Sequence, residues 1–352
     1  MTAFSDEQRS LRDAVRTMLA KRSDSGAVRR AVDEPHGYDA SLWRVLCDQI
    51  GAAALAVPEG VGGVGAGPRE VQVVLEELGR ALTPSPMLGS VLATGLLLAL
   101  DDAAGSERLL PRIAEGAVVA VAWAGADGRW DRGAVEVDGD GLSGEAHFVL
   151  DGDTAEILLV IAEGAVYDVD PGAADRVHTP TMDPTRRLAR VRLDGAPGTR
   201  IGPADAASAL SAAIDAAVVA LSAEQVGAAA RALEMTVEYT KVRHQFGRPI
   251  GSFQALKHRM ADLHVLLEAA RSAAYAAAAG TVHPSVAKAY CSEALQTIAA
   301  ETIQLHGGIA ITWEHDAQLY FKRAHGSAAL FGAPGHHVAR LADAMRHGES
   351  DG

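Results

Sequence analysis

A chain of 352 residues that is 48% apolar can bury a large core, and its formal net charge of −13 is the wrong sign for nucleic acid or an anionic membrane surface. Its two cysteines, Cys47 and Cys291, stand apart without metal-type spacing, which predicts reduced thiols in a soluble cytoplasmic protein. No opening stretch pairs a basic segment with an apolar one, and no uncharged apolar run reaches membrane-spanning length. Alanine is abundant and aromatics make up only 5%, a composition suited to helices packed through small contact residues.

In chain order, Ser5-Asp6-Glu7-Gln8 is a capping-box start, and Leu11, Val15, Met18 and Leu19 form a helical stripe behind it. A second helix fits Ser41–Gln49, with Trp43 and Leu46 turned inward. Gly60, Gly62 and Gly65 then match the G-x-G-x-x-G spacing of a dinucleotide fingerprint ahead of a helix at Arg69–Leu82. Pro58 intervenes and no second βαβ unit follows, so the stretch is expected to be a mobile glycine loop between helices. Apolar helices at Met87–Leu100 and Glu107–Glu115 complete a helical N-terminal domain over residues 1–115.

The character changes at Gly116. AVVAVAWAG, AVEVDG, AEILLVIA, AVYDVD and ARVRLDG are short β-type runs separated by Gly/Asp turns, predicting a small β domain over 116–203. From residue 204 to the end the chain returns to alanine-rich helices, roughly 206–242, 252–279, 284–306, 313–330 and 335–346. Ser252 and Thr312 stand where N-caps would be, and His336-His337 looks like a solvated helix start. The fold class expected is α+β, mainly α, ending in an antiparallel helical bundle.

Two segments of that last region carry the chemistry. In Tyr239–Asp262, Gly247, Pro249 and Gly251 punctuate the passage between two helices, with Arg243 and Phe246 beside the turn. A guanidinium and a flat apolar plate are what a phosphate-bearing, ring-containing cofactor needs. In Gln304-Leu305-His306-Gly307-Gly308 the paired glycines permit close backbone approach, while Gln304 can read an amide or ring edge. Plainer roles fit the same residues. Arg243 can cap a helix C-terminus, Phe246 and Phe253 can be core plates, and Gln304 can simply tie down its loop. His258 and Asp262 share a helical face but make a poor two-ligand metal site, and no Gly-x-Ser-x-Gly elbow is present.

RHQFGRPIGSFQ and QLHGGIAITWEHD, in this order and spacing, resemble the C-terminal domain of flavin-dependent acyl-CoA dehydrogenases, and the likeness extends over nearly the whole chain. The resemblance implies FAD, with its ADP half held across a subunit interface by Arg243, Gln245, Phe246, Ile250, Phe253, Gln304, Gly307 and Gly308. It also implies removal of an α proton from an acyl-CoA thioester by a glutamate, with hydride passing to the flavin. Here the two positions at which family members carry that glutamate are Phe331 and Ala217. Asp215 or Glu224 could serve only if the register slips by a turn, and Glu314 fits a helix start better. In the β domain, the runs that touch the flavin ring in the family correspond to AWAGADGRW and HFVLDGDTA, which keep Trp123 and Asp127 loosely but not the usual hydroxyls.

The expectation is therefore a chain without a catalytic base of its own. It would be one subunit of a heteromeric, unequal pairing of the kind the family contains, lending ADP-side contacts to a homologous catalytic subunit, in a heterotetramer. A self-sufficient homo-oligomeric flavoenzyme with a displaced base, and a flavin-free scaffold that keeps the fold, remain the alternatives. Substrates on bulky steroid side-chain thioesters are permitted by the resemblance; nucleic acid and membrane insertion are not expected.

Overall fold

The computed structural model describes residues 4–130 and 133–348. Helices come first: α1 Asp6–Arg22, α2 Ser25–Asp33, α3 Ala40–Val45, α4 Pro68–Ala81, α5 Met87–Ala99 and α6 Ala103–Ala114. The capping box at α1 is made as expected, Ser5 Oγ accepting from Gln8 N–H while Gln8 answers the Ser5 N–H. Helix α2 was not anticipated; α6 starts four residues before the predicted Glu107, because Asp102 caps it by accepting from Gly105 N–H. The Ser41–Gln49 helix is split, with Asp39 capping α3 and a wider π-type turn at Leu46–Ile50 closing it.

The glycine stretch after it is not a mobile loop. Val64, Gly65 and Ala66 donate back to Ala54, Val57 and Leu55 at 3.0, 2.8 and 2.7 Å. A Cβ on Gly63 would stand 1.9 Å from the Val57 carbonyl oxygen, so that glycine is required by close approach and not by a nucleotide.

Eight strands follow: β1 Val119–Ala122, β2 Val135–Asp138, β3 Gly141–Leu150, β4 Ile157–Ala162, β5 Ala165–Val169, β6 Asp175–His178, β7 Leu188–Ala196 and β8 Gly198–Ile201. They form one sheet in the order β6-β7-β3-β2-β4-β5-β8, with β1 paired to β4 in parallel. Three strands were not foreseen, among them β3, the longest. Its sequence GLSGEAHFVL shows no clean alternation because the register shifts twice against β7, once between Leu142 and Gly144 and once between Ala146 and Val149. The sheet core is aliphatic: Ala120, Leu142, Val149, Leu158, Val160 and Val191 are all buried in one cluster.

The third part is helical: α7 Ala207–Val242, α8 Gln254–Ala278, α9 Pro284–His306, α10 Ala317–Ala329 and α11 Pro334–Gly348, with two-residue strands β9 His244–Gln245 and β10 Arg248–Pro249 between α7 and α8. Helix α7 is long and apolar enough to cross a membrane by length and composition alone, yet 56% of its apolar window is buried inside the protein, as in a core helix. Alanines let helices approach closely; Gly227 on α7 and Gly79 on α4 have no room for a Cβ, which would meet the Glu76 and Glu224 carbonyl oxygens at 1.8 and 2.0 Å.

Two expected caps are absent. Ser252 Oγ donates to the Pro249 carbonyl at 2.7 Å and Phe253 stands at the start of α8. Thr312 Oγ1 donates to Ile309 O, and α10 begins only at Ala317, where His315 Nδ1 accepts the Ala317 N–H. His337 is also not solvated. It is 1% exposed, its Nδ1 3.0 Å from Ser285 Oγ and its Nε2 3.0 Å from the Phe331 carbonyl. Lys288, fully buried, donates to the Ser327 and Ala328 carbonyls at 2.8 and 3.0 Å, using a cation to satisfy the C-terminal end of α10.

By contacts the chain divides into two compact units, each discontinuous in sequence: one of residues up to Arg29, Gln72–Thr83 and Leu221 onward, the other of Arg30–Val71 and Pro84–Ala220. The fold class is as expected, helices then sheet then helices, but helix α7 is shared between the units.

Candidate functional site

The turn after α7 is a two-residue hairpin. Gln245 pairs with Arg248 and His244 with Pro249, leaving Phe246 and Gly247 as the loop. Both have positive φ, +54° and +76°, the backbone of a type I′ turn. An aromatic residue rarely adopts that conformation, and here it projects Phe246 to 90% exposure. Phe246 meets Phe253 edge-on with ring centroids 6.0 Å apart, and the Arg248 guanidinium lies 4.1 Å over the Phe253 ring. The hairpin base is closed by Ile250 N–H donating to Arg243 O at 2.8 Å. Phe246 is thus a presented plate and not a core residue. Arg243 is exposed, and its backbone N–H, not its guanidinium, continues the helix to Tyr239 O.

The second segment ends α9. Gly307 has φ +67° and ψ −149°, a region open essentially to glycine alone, and it turns the chain out of the helix into a short 3₁₀ turn, Gly307–Ile311. Gln304, Gly307 and Gly308 are exposed, and a Cβ built on either glycine or on Gly247 finds nothing within 4 Å.

The structure brings the two segments together. Tyr239, one turn before Arg243, stacks on His306 with centroids 4.4 Å apart and an interplanar angle of 25°. Deeper in, Thr236 Oγ1 donates to Thr302 Oγ1 at 3.0 Å, and Arg259 pairs with Glu301 at 2.5 Å. His306 was not singled out from sequence, yet it is the hinge of the arrangement. Its Nδ1 donates to Thr302 O at 2.8 Å, burial holds its pKa below the ordinary value, and its Nε2 has no hydrogen-bond partner among the described residues. Beside these arms in sequence, Val242, Ile311 and Trp313 are 71%, 75% and 71% exposed, and the Lys322 ammonium lies 4.1 Å over the Trp313 ring.

The positions suggested for a base lie elsewhere. Phe331 is 2% exposed and Ala217 fully buried. Glu224, 5% exposed, is engaged by the buried Arg323 guanidinium, which makes it half of an internal ion pair. Asp215 is partly buried, and Glu314 is exposed before the start of α10. His258 and Asp262 are exposed, and no group of three or more metal-type ligands exists among the described residues.

Within the sheet unit the two runs matched to the flavin ring also converge. His147 N–H donates to Ala124 O at 2.7 Å, and Ala134 N–H to Trp123 O at 2.8 Å. Asp127 is exposed and accepts from Arg129 N–H.

The acyl-CoA dehydrogenase C-terminal domain matches residues 208–345 and the acyl-CoA dehydrogenase N-terminal domain residues 5–117. The chain belongs to the acyl-CoA dehydrogenase family. It is 46% identical to the acyl-CoA dehydrogenase IpdE2 of Mycobacterium tuberculosis over 338 residues, 96% of each chain. Among solved structures it resembles a variant of the Tcur3481-Tcur3483 steroid ACAD (29% identity, TM-score 0.86, 98% of this chain and 99% of that one). It also resembles the ChsE4-ChsE5 complex from Mycobacterium tuberculosis (26% identity, TM-score 0.86, with the same coverage).

Family members bind FAD, and the residues at the two arms suit its nucleotide half: a free-standing guanidinium, an exposed ring, an amide, and glycine surfaces with open space before them.

Proposed function

We propose that this chain is one subunit of a heteromeric FAD-dependent acyl-CoA dehydrogenase, holding the ADP end of a flavin whose reactive ring lies in a homologous partner subunit. The observation that carries the reading is the pairing of the arms. Arg243, Phe246, Gln304, Gly307 and Gly308 stand on two segments joined by the Tyr239–His306 stack, and all five are exposed.

In this reading Arg243 gives charge-assisted hydrogen bonds to the diphosphate, and Phe246 covers an apolar face of the nucleotide. Gln304 reads a polar edge, while Gly307 and Gly308 admit it at backbone distance. The flavin, when bound, supplies the hydride acceptor for α,β-desaturation of an acyl-CoA thioester. The proton-abstracting carboxylate would come from the partner, since Phe331 and Ala217 occupy the family's two base positions in this chain. The likeness to a steroid ACAD makes bulky polycyclic acyl-CoA thioesters the first substrate class to try.

The test is co-purification with a homologous subunit that carries the glutamate, followed by measurement of flavin per complex. Arg243→Ala is expected to lower flavin retention several-fold without dissociating the chains. Full flavin content and thioester desaturation by the unaided chain would overturn the reading.

A further inference from the structure

We infer that Trp130 closes the seat a flavin ring would need in this chain's sheet unit, so that the chain can lend a nucleotide clamp but cannot receive the isoalloxazine itself. The inference rests on the family's use of flavin and deepens the division of labour proposed above.

Ala134 N–H donates to Trp123 O at 2.8 Å, and the ring of Trp130 packs against that of Trp123. The Trp123 indole N–H donates to the Trp130 carbonyl at 3.1 Å, and the two indoles meet edge-on with centroids 5.3 Å apart. Trp130 also reaches Phe148 across 6.3 Å. Trp123 and Trp130 are 2% and 9% exposed, so these rings form a closed apolar packing and not an open slot.

Phe148 lies in the β3 irregularity between Ala146 and Val149 and has a left-handed backbone, φ +55°. A strained aromatic persists only where its surroundings hold it, and here the indole of Trp130 is part of that surrounding. Polar chemistry points the same way. A flavin ring has an edge of nitrogen and oxygen atoms that needs hydrogen-bond donors and acceptors. AWAGADGRW contains no hydroxyl, and the single hydroxyl of HFVLDGDTA, on Thr154, is spent on the Asp151 carbonyl at 3.1 Å.

FMN separates this inference from the proposed function, because it carries the ring but lacks the adenylate that Arg243 and the glycines would hold. The full-length chain is titrated with FMN, following flavin fluorescence and tryptophan quenching. The wild type is expected to show no saturable binding, and Trp130→Gly to gain affinity by at least about tenfold. Trp130→Leu, which keeps more of the apolar packing, is the second variant should the glycine form unfold, and a smaller gain is expected of it. Saturable FMN binding by the wild type overturns the inference. So does the lack of any gain in a variant that keeps the wild-type melting transition.

Discussion

Tyr239 and His306 lie 67 positions apart and stack with ring centroids 4.4 Å apart, coupling the Arg243–Phe246 hairpin to the Gly307-Gly308 turn. The contact joins the last turn of α7 to the last residue of α9, so neither arm can shift independently. Tyr239→Ala should lower global stability by about 1 kcal/mol, the worth of a partly buried aromatic pair. Amide hydrogen exchange should quicken in both 243–250 and 304–312, although only one of these segments adjoins the mutation in sequence. Tyr239→Phe keeps the ring and should leave both unchanged.

The two glycines separate structure from function. Gly307 has a backbone that side chains scarcely adopt, so Gly307→Ala should cost about 1–3 kcal/mol in denaturant unfolding. Gly308 has ordinary φ and open space where a Cβ would stand. Gly308→Ala should therefore change stability by less than about 0.5 kcal/mol. In the complex it should still lower flavin retention, measured as absorbance per protein. Unchanged retention would remove Gly308 from the cofactor surface.

Glu224 provides a test of whether a displaced base exists. Its carboxylate and the Arg323 guanidinium are 6% and 3% exposed and engage each other directly. Glu224→Gln leaves a buried guanidinium with less compensation and should destabilise by about 3–5 kcal/mol. Glu224→Gln with Arg323→Met should recover most of that loss. Loss of turnover at unchanged melting temperature would instead make Glu224 a proton acceptor.

The sequence exposed the fold where signals were local and periodic. The capping box at Ser5, the long alanine-rich helices and the runs AEILLVIA and ARVRLDG all became the elements expected. It concealed β3 because two register shifts erase alternation, and it misplaced the caps at Ser252 and Thr312 because each hydroxyl finds a nearer carbonyl. The exposed character of Arg243 and Phe246 followed from composition and turn signals. The role of His306 did not, because its ring contacts Tyr239 and His315 only after the chain has folded. His337 was misread for the same reason: adjacent histidines look solvated until Ser285 and the Phe331 carbonyl are seen around one of them.

Two buried groups, His337 and Asp151, contribute to the pH response with opposite signs. Burial lowers the His337 pKa to about 4, so the folded protein resists a proton that the unfolded chain accepts below its ordinary value near 6.5. Stability from this group is full above that value and is lost as pH falls toward 4, at roughly 1.4 kcal/mol per pH unit. Burial raises the Asp151 pKa to about 7, so between about 4 and 7 the folded protein keeps a proton that the unfolded chain has released. That contribution makes stability fall as pH rises, with the full deficit above 7. The two slopes offset each other across the mildly acidic range. Asp151→Asn removes one of them, and asparagine also tolerates the left-handed backbone at this position, φ +50°. The variant should melt higher than wild type at pH 8 by several degrees and gain little at pH 4, moving the stability optimum toward neutrality. His337→Asn should lower melting at pH 8 and shift the optimum toward acid. Parallel melting curves for Asp151→Asn and wild type from pH 4 to pH 8 would show that this carboxyl ionises normally in the fold.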